Sequence, residues 1–297
     1  MTDVVRTPDE RFSDLPDYAF EPKYAAVTVD GTDLRMARVD QGDGDTVVLL
    51  HGEPTWGYLW RHTLPPLLGA GLRVVVPDHV GFGRSDKPQP RDWYSFDRVY
   101  DALDQHLQAT IGENPITLVV HDWGGLLGLV WAAEHVERVA RLVVLDTGLY
   151  RAGGRMSDAW WQFRNYIEKL EAFPVAQMVD GACLTELSDE VKAAYEAPFP
   201  DPSSHGAPLA MPLLVPTSDD APGAARMMAA WEVIEDWDVP ALFVWGSDDP
   251  IIPPKVGERM AQLFGGETTF TTVTGSHFLQ EDAGEEIGTR IRDFVTG

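Results

Sequence analysis

The chain has one cysteine, Cys183, in 297 residues, so no intrachain disulfide can form. That excludes a disulfide-stapled scaffold and favours a reducing cytoplasm as the compartment. Cys183 has no histidine nearby at metal-ligand or nucleophile spacing, and it is expected to pack as a small hydrophobe. Basic residues are scarce: 23 Lys and Arg stand against 47 Asp and Glu, a net charge of −24. Such a field excludes nucleic acid and anionic membrane surfaces as partners. Only five of the basic residues are lysines (Lys23, Lys87, Lys169, Lys192 and Lys255), and the acids are spread along the chain rather than gathered in a tail. An acidic, lysine-poor surface suits a salt-rich cytoplasm, where counterions screen self-repulsion; an ordinary acidic protein is the alternative. No segment approaches the ~18 unbroken apolar residues of a membrane helix. Residues 1–16 hold no apolar run, so no secretory signal is expected. No repeat or low-complexity tract is present.

What is present reads as an ordinary globular protein, 44% hydrophobic and 24% charged, long enough for one large domain or a core with a sub-domain. Short apolar, β-branched runs recur at Thr46–Leu50, Arg73–Pro77, Ile116–Val120, Leu142–Leu145, Ala241–Trp245 and Thr268–Val273. Unbroken runs of this kind predict strands buried on both faces, as in a parallel sheet covered by helices. Helix-like stretches such as Phe96–Thr110 and Gly125–His135 alternate with them, which is the α/β signature. Ala26–Asp30 and Leu34–Asp40 flank Gly31 and predict an N-terminal hairpin. The rhythm stops after Leu145, the end of the sixth strand, and returns at Val239. Between them the chain is rich in Trp, Met and Pro, with helix-like pieces at Ser157–Glu171 and Ser188–Glu196. The expectation is a core of residues 1–148 and 234–297 with a helical cap, residues 149–233, folded over the sheet to supply a pocket and exclude water.

The Ile116–Val120 run leads directly into His121-Asp122-Trp123-Gly124-Gly125 and then a helix-compatible stretch. Strand, sharp turn and helix are the setting of a nucleophile elbow, here with Asp in the usual Ser position. The bland alternative is that Asp122 only caps the helix. Two companions argue against it. His277 lies in a loop after the last predicted strand, and Asp249 lies just past Ala241–Trp245. The chain order nucleophile, acid, histidine is that of α/β-hydrolases, and a carboxylate is needed to hold one histidine tautomer and stabilise its transient charge. Asp249 has rivals as the acid in its neighbour Asp248 and in Asp146, which ends the preceding strand. Most other histidines, His62, His106 and His135 among them, sit in helix-like or loop contexts and read as ordinary. A third companion is His51-Gly52-Glu53-Pro54-Thr55-Trp56, after Thr46–Leu50. In this fold that loop supplies one oxyanion-hole N–H and the residue after the nucleophile, Trp123, supplies the other. Glu53 is unusual where negative charge must be stabilised, and is expected to face something else, such as the hydrolytic water.

A carboxylate nucleophile attacks an sp³ carbon, displaces a leaving group and becomes an alkyl ester. Water activated by His277 then attacks the ester carbonyl, and the alcohol leaves. Neither a metal nor an organic cofactor is required. Halide and the oxygen of a strained epoxide both suit this scheme as leaving groups.

His51–Arg61 (HGEPTWGYLWR), Pro77–Pro88 (PDHVGFGRSDKP), His121–Gly125 (HDWGG), Tyr195–Asp201 (YEAPFPD) and Gly275–Glu281 (GSHFLQE) together resemble the haloalkane dehalogenases, from about Arg6 to Phe294. The likeness is greatest to the subfamily with an HGEP loop and its acid after the later strand. The resemblance implies an α/β-hydrolase fold with a mostly parallel sheet and a helical cap. It implies a small halogenated alkane as substrate and halide as product, with Asp122 as nucleophile, Asp249 as acid, His277 as base and Trp123 as halide donor. It further implies that Glu53 positions the hydrolytic water and that the Glu53–Pro54 bond is cis. An epoxide hydrolase is the runner-up, weakened by the few cap tyrosines (Tyr150, Tyr166 and Tyr195), and a non-catalytic α/β-hydrolase used as a binding module is a third reading. A monomer or weak homo-oligomer is expected. One departure stands out. The subfamily's second halide donor is a cap Trp, and the matching position here is Phe163, which has no N–H to offer. Trp160 and Trp161 lie just upstream; at about 100° per helical residue, Trp160 shares the face of Phe163 better than Trp161 does.

Overall fold

The computed structural model describes residues 2–297. The predicted runs become eight strands of one sheet: β1 (Lys23–Val29), β2 (Thr32–Gln41), β3 (Thr46–Leu50), β4 (Arg73–Pro77), β5 (Ile116–His121), β6 (Val139–Leu145), β7 (Ala241–Gly246) and β8 (Thr268–Val273). Their order across the sheet is β8-β7-β6-β5-β3-β4-β2-β1. β1 and β2 form the expected antiparallel hairpin and β2 pairs antiparallel with β4; every other neighbour is parallel. The fold is therefore an α/β-hydrolase fold with a mostly parallel sheet. The reason is visible in burial. β5 and β7 are buried along their whole length, as are Val47–Leu50 and Val74–Pro77. Strands with no exposed face cannot alternate polar and apolar residues, and they carry helices on both sides.

Helices α1 (Leu64–Gly69), α2 (Phe96–Thr110) and α3 (Trp123–Glu134) follow β3, β4 and β5. α2 begins where the Ser95 hydroxyl accepts a hydrogen bond from Arg98 N, an N-cap that satisfies one free donor of its first turn. Between β6 and β7 the chain makes only helices: α4 (Asp158–Ile167), α5 (Val175–Asp180), α6 (Asp189–Glu196), α7 (Gly206–Leu214) and α8 (Ala224–Asp236). Ser157 and Ser188 cap α4 and α6 with their hydroxyls. The helix α8 packs on α3 and runs through positions 233 and 234, so the last helix of this segment is continuous with the support of the sheet. α9 (Pro254–Ala261) and α10 (Leu279–Thr296) complete the chain, α10 lying against α1.

The connection from β3 runs to β4 on one side, and β5 then returns to the other side of β3. A crevice opens at the carboxyl ends of strands where the order reverses in this way. The carboxyl ends of β3, β5, β6 and β7 all face this region, with the α4–α7 segment above it. Several buried contacts fasten that segment down. The Trp56 indole N–H donates to Ala194 O at 3.1 Å, Thr7 Oγ1 to Pro198 O at 2.7 Å and Ser157 Oγ to Ile251 O at 2.8 Å. Arg61 forms a bidentate pair with Glu281 (2.5 and 2.6 Å), and Tyr195 of α6 donates its hydroxyl to the same carboxylate. Cys183 sits half-buried against the core and donates its thiol hydrogen to Val179 O at 3.1 Å. Among the described residues no helix is long and apolar enough to cross a membrane.

Candidate active site

Asp122 stands at the end of β5 with φ 48° and ψ −120°, a backbone region that side-chain-bearing residues avoid and that is stored at functional sites. The turn lifts its carboxylate into the crevice. Glu53 N donates to Oδ1 at 2.8 Å, and the N–H of Trp123, first in α3, also favours the ionised carboxyl. Both residues stand where the HGEP loop and the elbow bring them beside the carboxylate. Gly52 is required here, because a Cβ at that position would fall 2.3 Å from Asp122 Oδ1. Thr147, just past β6, donates its hydroxyl to Asp122 O at 2.6 Å and braces the elbow from the other side. The Glu53–Pro54 peptide is cis.

His277 lies beyond β8 with Nε2 3.7 Å from Asp122 Oδ2 and Nδ1 2.8 Å from Asp249 Oδ2. Asp249 therefore meets Nδ1, while Asp248 turns away and accepts a hydrogen bond from Ser247 at 2.6 Å. The remaining oxygen of Asp249 accepts Ile251 N at 2.7 Å and Ile252 N at 3.0 Å. Burial opposes the charge of Asp249, but His277 and those N–H groups outweigh it and hold the carboxyl below its ordinary value. Asp122 behaves alike. Burial works against its ionisation, and the hydrogen bond and charge of His277, with Trp123 N–H, lower it. Burial would discharge His277, yet Asp249 and Asp122 together raise it well above a free imidazole. The mutual shifts favour two carboxylates around one imidazolium as the resting form of the trio.

Glu53 is buried beside Asp122 with Oε1 unpartnered in protein. Burial, and next the Asp122 charge, push it well above the usual carboxyl range, which favours its neutral form. Sequence reasoning passed over His121, although it is part of the HDWGG motif. It is buried, its Nε2 donates to His277 O at 2.9 Å, and its ring lies 5.2 Å from that of His277. Burial and the neighbouring imidazolium lower it to about 4, so it is neutral.

A cavity of about 690 Å³ opens above Asp122. Glu53, Trp123 and His277 line its floor, and Leu126, Leu149, Met178, Met227 and Phe278 contribute apolar walls. Trp160, Trp161 and Phe163 of α4 all line it too. Trp160 is buried, Trp161 is 39% exposed and Phe163 is half-buried. Elsewhere the indole N–H groups of Trp131, Trp231 and Trp245 find oxygen acceptors. Among the described residues none engages those of Trp123, Trp160 or Trp161. Indole donors at an apolar cavity without acceptors are free to bind an anion.

This arrangement defines a hydrolase with a carboxylate at the elbow, and the alpha/beta hydrolase fold family matches residues 45–284. The chain is 40% identical to a haloalkane dehalogenase of Mycolicibacterium paratuberculosis, with 97% of each chain covered, and 38% identical to one of Psychrobacter cryohalolentis, with 98% of each covered. Its structure matches the tetrameric haloalkane dehalogenase DpaA of Paraglaciecola agarilytica with a TM-score of 0.91 at 32% identity over 97% of each chain. The chain belongs to the haloalkane dehalogenase family.

Proposed function

We propose that this enzyme hydrolyses haloalkanes to alcohol, halide and a proton through an ester on Asp122. The observation that carries the reading is the carboxylate at the strained elbow, held ionised, with His277 on one side and two N–H donors on the other. Asp122 attacks the carbon bearing the halogen, and the halide leaves toward the indole N–H groups. Esterification removes the negative charge of Asp122. That charge is one of the two that raise His277, so the imidazole gives up its proton more readily once the ester exists. The first step thereby prepares the base for the second. Water attacks the ester carbonyl as His277 takes its proton, Asp249 stabilises the imidazolium, and Glu53 N and Trp123 N hold the oxyanion. Glu53, neutral and with a free oxygen, is suited to position that water. In this reading the helices α4–α7 form the cap, residues 149–233, over a core of residues 1–148 and 234–297, and the protein works in the cytoplasm.

The direct test is halide release from 1-bromobutane, measured beside the opening of a simple terminal epoxide. Bromide release with little or no epoxide opening is expected. Epoxide opening without bromide release would overturn the reading, and inertness to both would favour a binding module. The halide site gives a further expected result. Departure of an ion into an almost dry pocket needs more than one donor, because an unpaired anion there is costly. Trp123 is one, and buried Trp160 is the second in preference to half-exposed Trp161. Bromide affinity, followed by quenching of indole fluorescence, should weaken by about 1.5–3 kcal/mol in Trp160→Phe, the range for a hydrogen bond to a charged group. Trp161→Phe should change it little. Unaltered affinity in Trp160→Phe would remove that indole from the halide site.

A further inference from the structure

Asp146 ends β6 and reads from sequence as a rival acid for His277. In the fold it does something else. Its backbone turns into the positive-φ region (φ 26°), which directs its side chain beneath the β7 loop, and the residue is fully buried. Its carboxyl accepts Gly246 N at 2.9 Å (Oδ1) and 3.2 Å (Oδ2). Gly246 leaves the room for this, since a Cβ there would lie 2.9 Å from Asp146 Oδ2. Asp146, Asp249 and His277 each bring one polar side-chain atom within 4.8 Å of the other two. Two buried carboxyls therefore share one imidazole, and among the described residues the second carboxyl has no cation of its own.

The geometry leaves one economical arrangement of protons. Asp249 has three hydrogen-bond donors, His277 Nδ1, Ile251 N and Ile252 N, all of which favour its ionised form. Among the described residues Asp146 has only Gly246 N. Two carboxylates this close cannot both stay charged in a buried site. We infer that Asp146 is held as a neutral carboxylic acid that donates its proton in a hydrogen bond to Asp249, and that it acts as a positioning residue setting the basicity of His277. The inference rests on Asp249 and His277 being acid and base, as proposed above. The two carboxyls lie within 4.8 Å of one another; burial, and next the charge of Asp249, raise Asp146 well above the ordinary carboxyl value. The groups that face His277 are Asp122 and His121 from the end of β5, Asp249 from the β7 loop, Asp146 from β6 and Glu53 from the loop after β3. Of the five, Asp146 alone acts through Asp249. By donating to the ionised form of Asp249 it draws off part of the negative charge that would otherwise hold the His277 proton.

The test pairs two variants with a spectroscopic count of the proton. Difference infrared spectra of wild type against Asp146→Asn should show a neutral carboxylic acid C=O band, sensitive to deuterium exchange, that the variant lacks. Asp146→Asn replaces a neutral donor with a neutral donor, so the acid limb of the kcat–pH profile should stay where it is. Asp146→Leu removes the donor, strengthens the hold of Asp249 on His277, and should move that limb to higher pH by about half a unit or more. A missing acid band would overturn the inference. So would an acid limb that falls by about one unit in Asp146→Asn, because that is the effect of deleting a negative charge, or a limb that Asp146→Leu leaves in place. If Asp146→Leu fails to fold, the band and the Asp146→Asn profile still decide. A band missing from an enzyme that releases bromide sinks this inference alone, whereas absence of bromide release strikes the functional reading and leaves the infrared result to be judged by itself.

Discussion

His277→Ala should release one equivalent of bromide from 1-bromobutane and then stop. The N–H donors and the halide site are untouched by this change, and Asp122, though it loses the charge of His277, keeps the Glu53 N–H that favours its ionised form, so the first step proceeds. The second does not, because Nε2, 3.7 Å from Asp122 Oδ2, is the base nearest the ester carbonyl. Removing a positioned general base typically slows a step by roughly 10²–10⁴-fold, enough for the ester to accumulate. Intact-mass measurement should find one added butyl group, and peptide mapping should locate it on Asp122. Steady-state turnover should fall by the same factor, while the burst remains stoichiometric with enzyme. An unmodified protein after bromide release, or alkylation at another residue, would contradict the two-step mechanism.

The largest expected loss of stability lies away from the chemistry, at Arg61. Its guanidinium and the Glu281 carboxylate are each only 2% exposed and pair at 2.5 Å. The Tyr58 ring lies under the guanidinium at 4.2 Å, and Tyr195 of α6 donates to the same carboxylate. Arg61→Ala leaves Glu281 buried with its cation gone, a kind of change that costs about 3–5 kcal/mol. The melting temperature should drop by roughly 10 °C. Arg61→Met combined with Glu281→Gln should recover much of that loss, since the stranded charge and not the missing attraction dominates the penalty. Thermal melts of the two variants beside wild type test this. A single variant within about 1 kcal/mol of wild type would show that water reaches Glu281 and relieves it. Because Tyr195 belongs to α6, Arg61→Ala should also loosen the helical segment over the cavity, read as faster amide exchange in residues 189–196.

Much of the fold and of the site is legible in the amino-acid sequence. All six β-branched runs are strands; five are buried, since a strand covered on both faces has no choice but to be apolar throughout, whereas Thr268–Val273 is the sheet's edge strand and lies mostly half-buried or exposed, contrary to the expected burial. The elbow can be read because a strand, a nucleophile and glycines must be contiguous for the turn to form. Chain order nominates Asp122, a following acid and His277, but leaves Asp248 and Asp146 beside Asp249 as rivals for the acid. Phe163 in place of a donor is equally visible, and with it the need for another indole. Less accessible are the residues whose partners lie far along the chain. His121 is hidden inside a recognisable motif, as its acceptor is the carbonyl of His277, 156 residues away. The ion pair of Arg61 and Glu281, separated by 220 residues, leaves no local signal either.

Asp146 marks the boundary between the two kinds of information. The amino-acid sequence determined the α/β alternation, the helical insertion after β6, the elbow at Asp122 and the identity of the carboxyl and imidazole groups available to it. These follow from periodicity, turn chemistry and chain order, all of which act over short stretches. Tertiary structure alone decided which carboxyl meets His277 Nδ1, which indoles face the cavity and that a second carboxyl stands beside Asp249. Charge state depends on burial and on separations of a few ångströms between side chains from different loops. The strand order that brings the ends of β6, β7 and β8 together creates those separations, and no linear pattern encodes them.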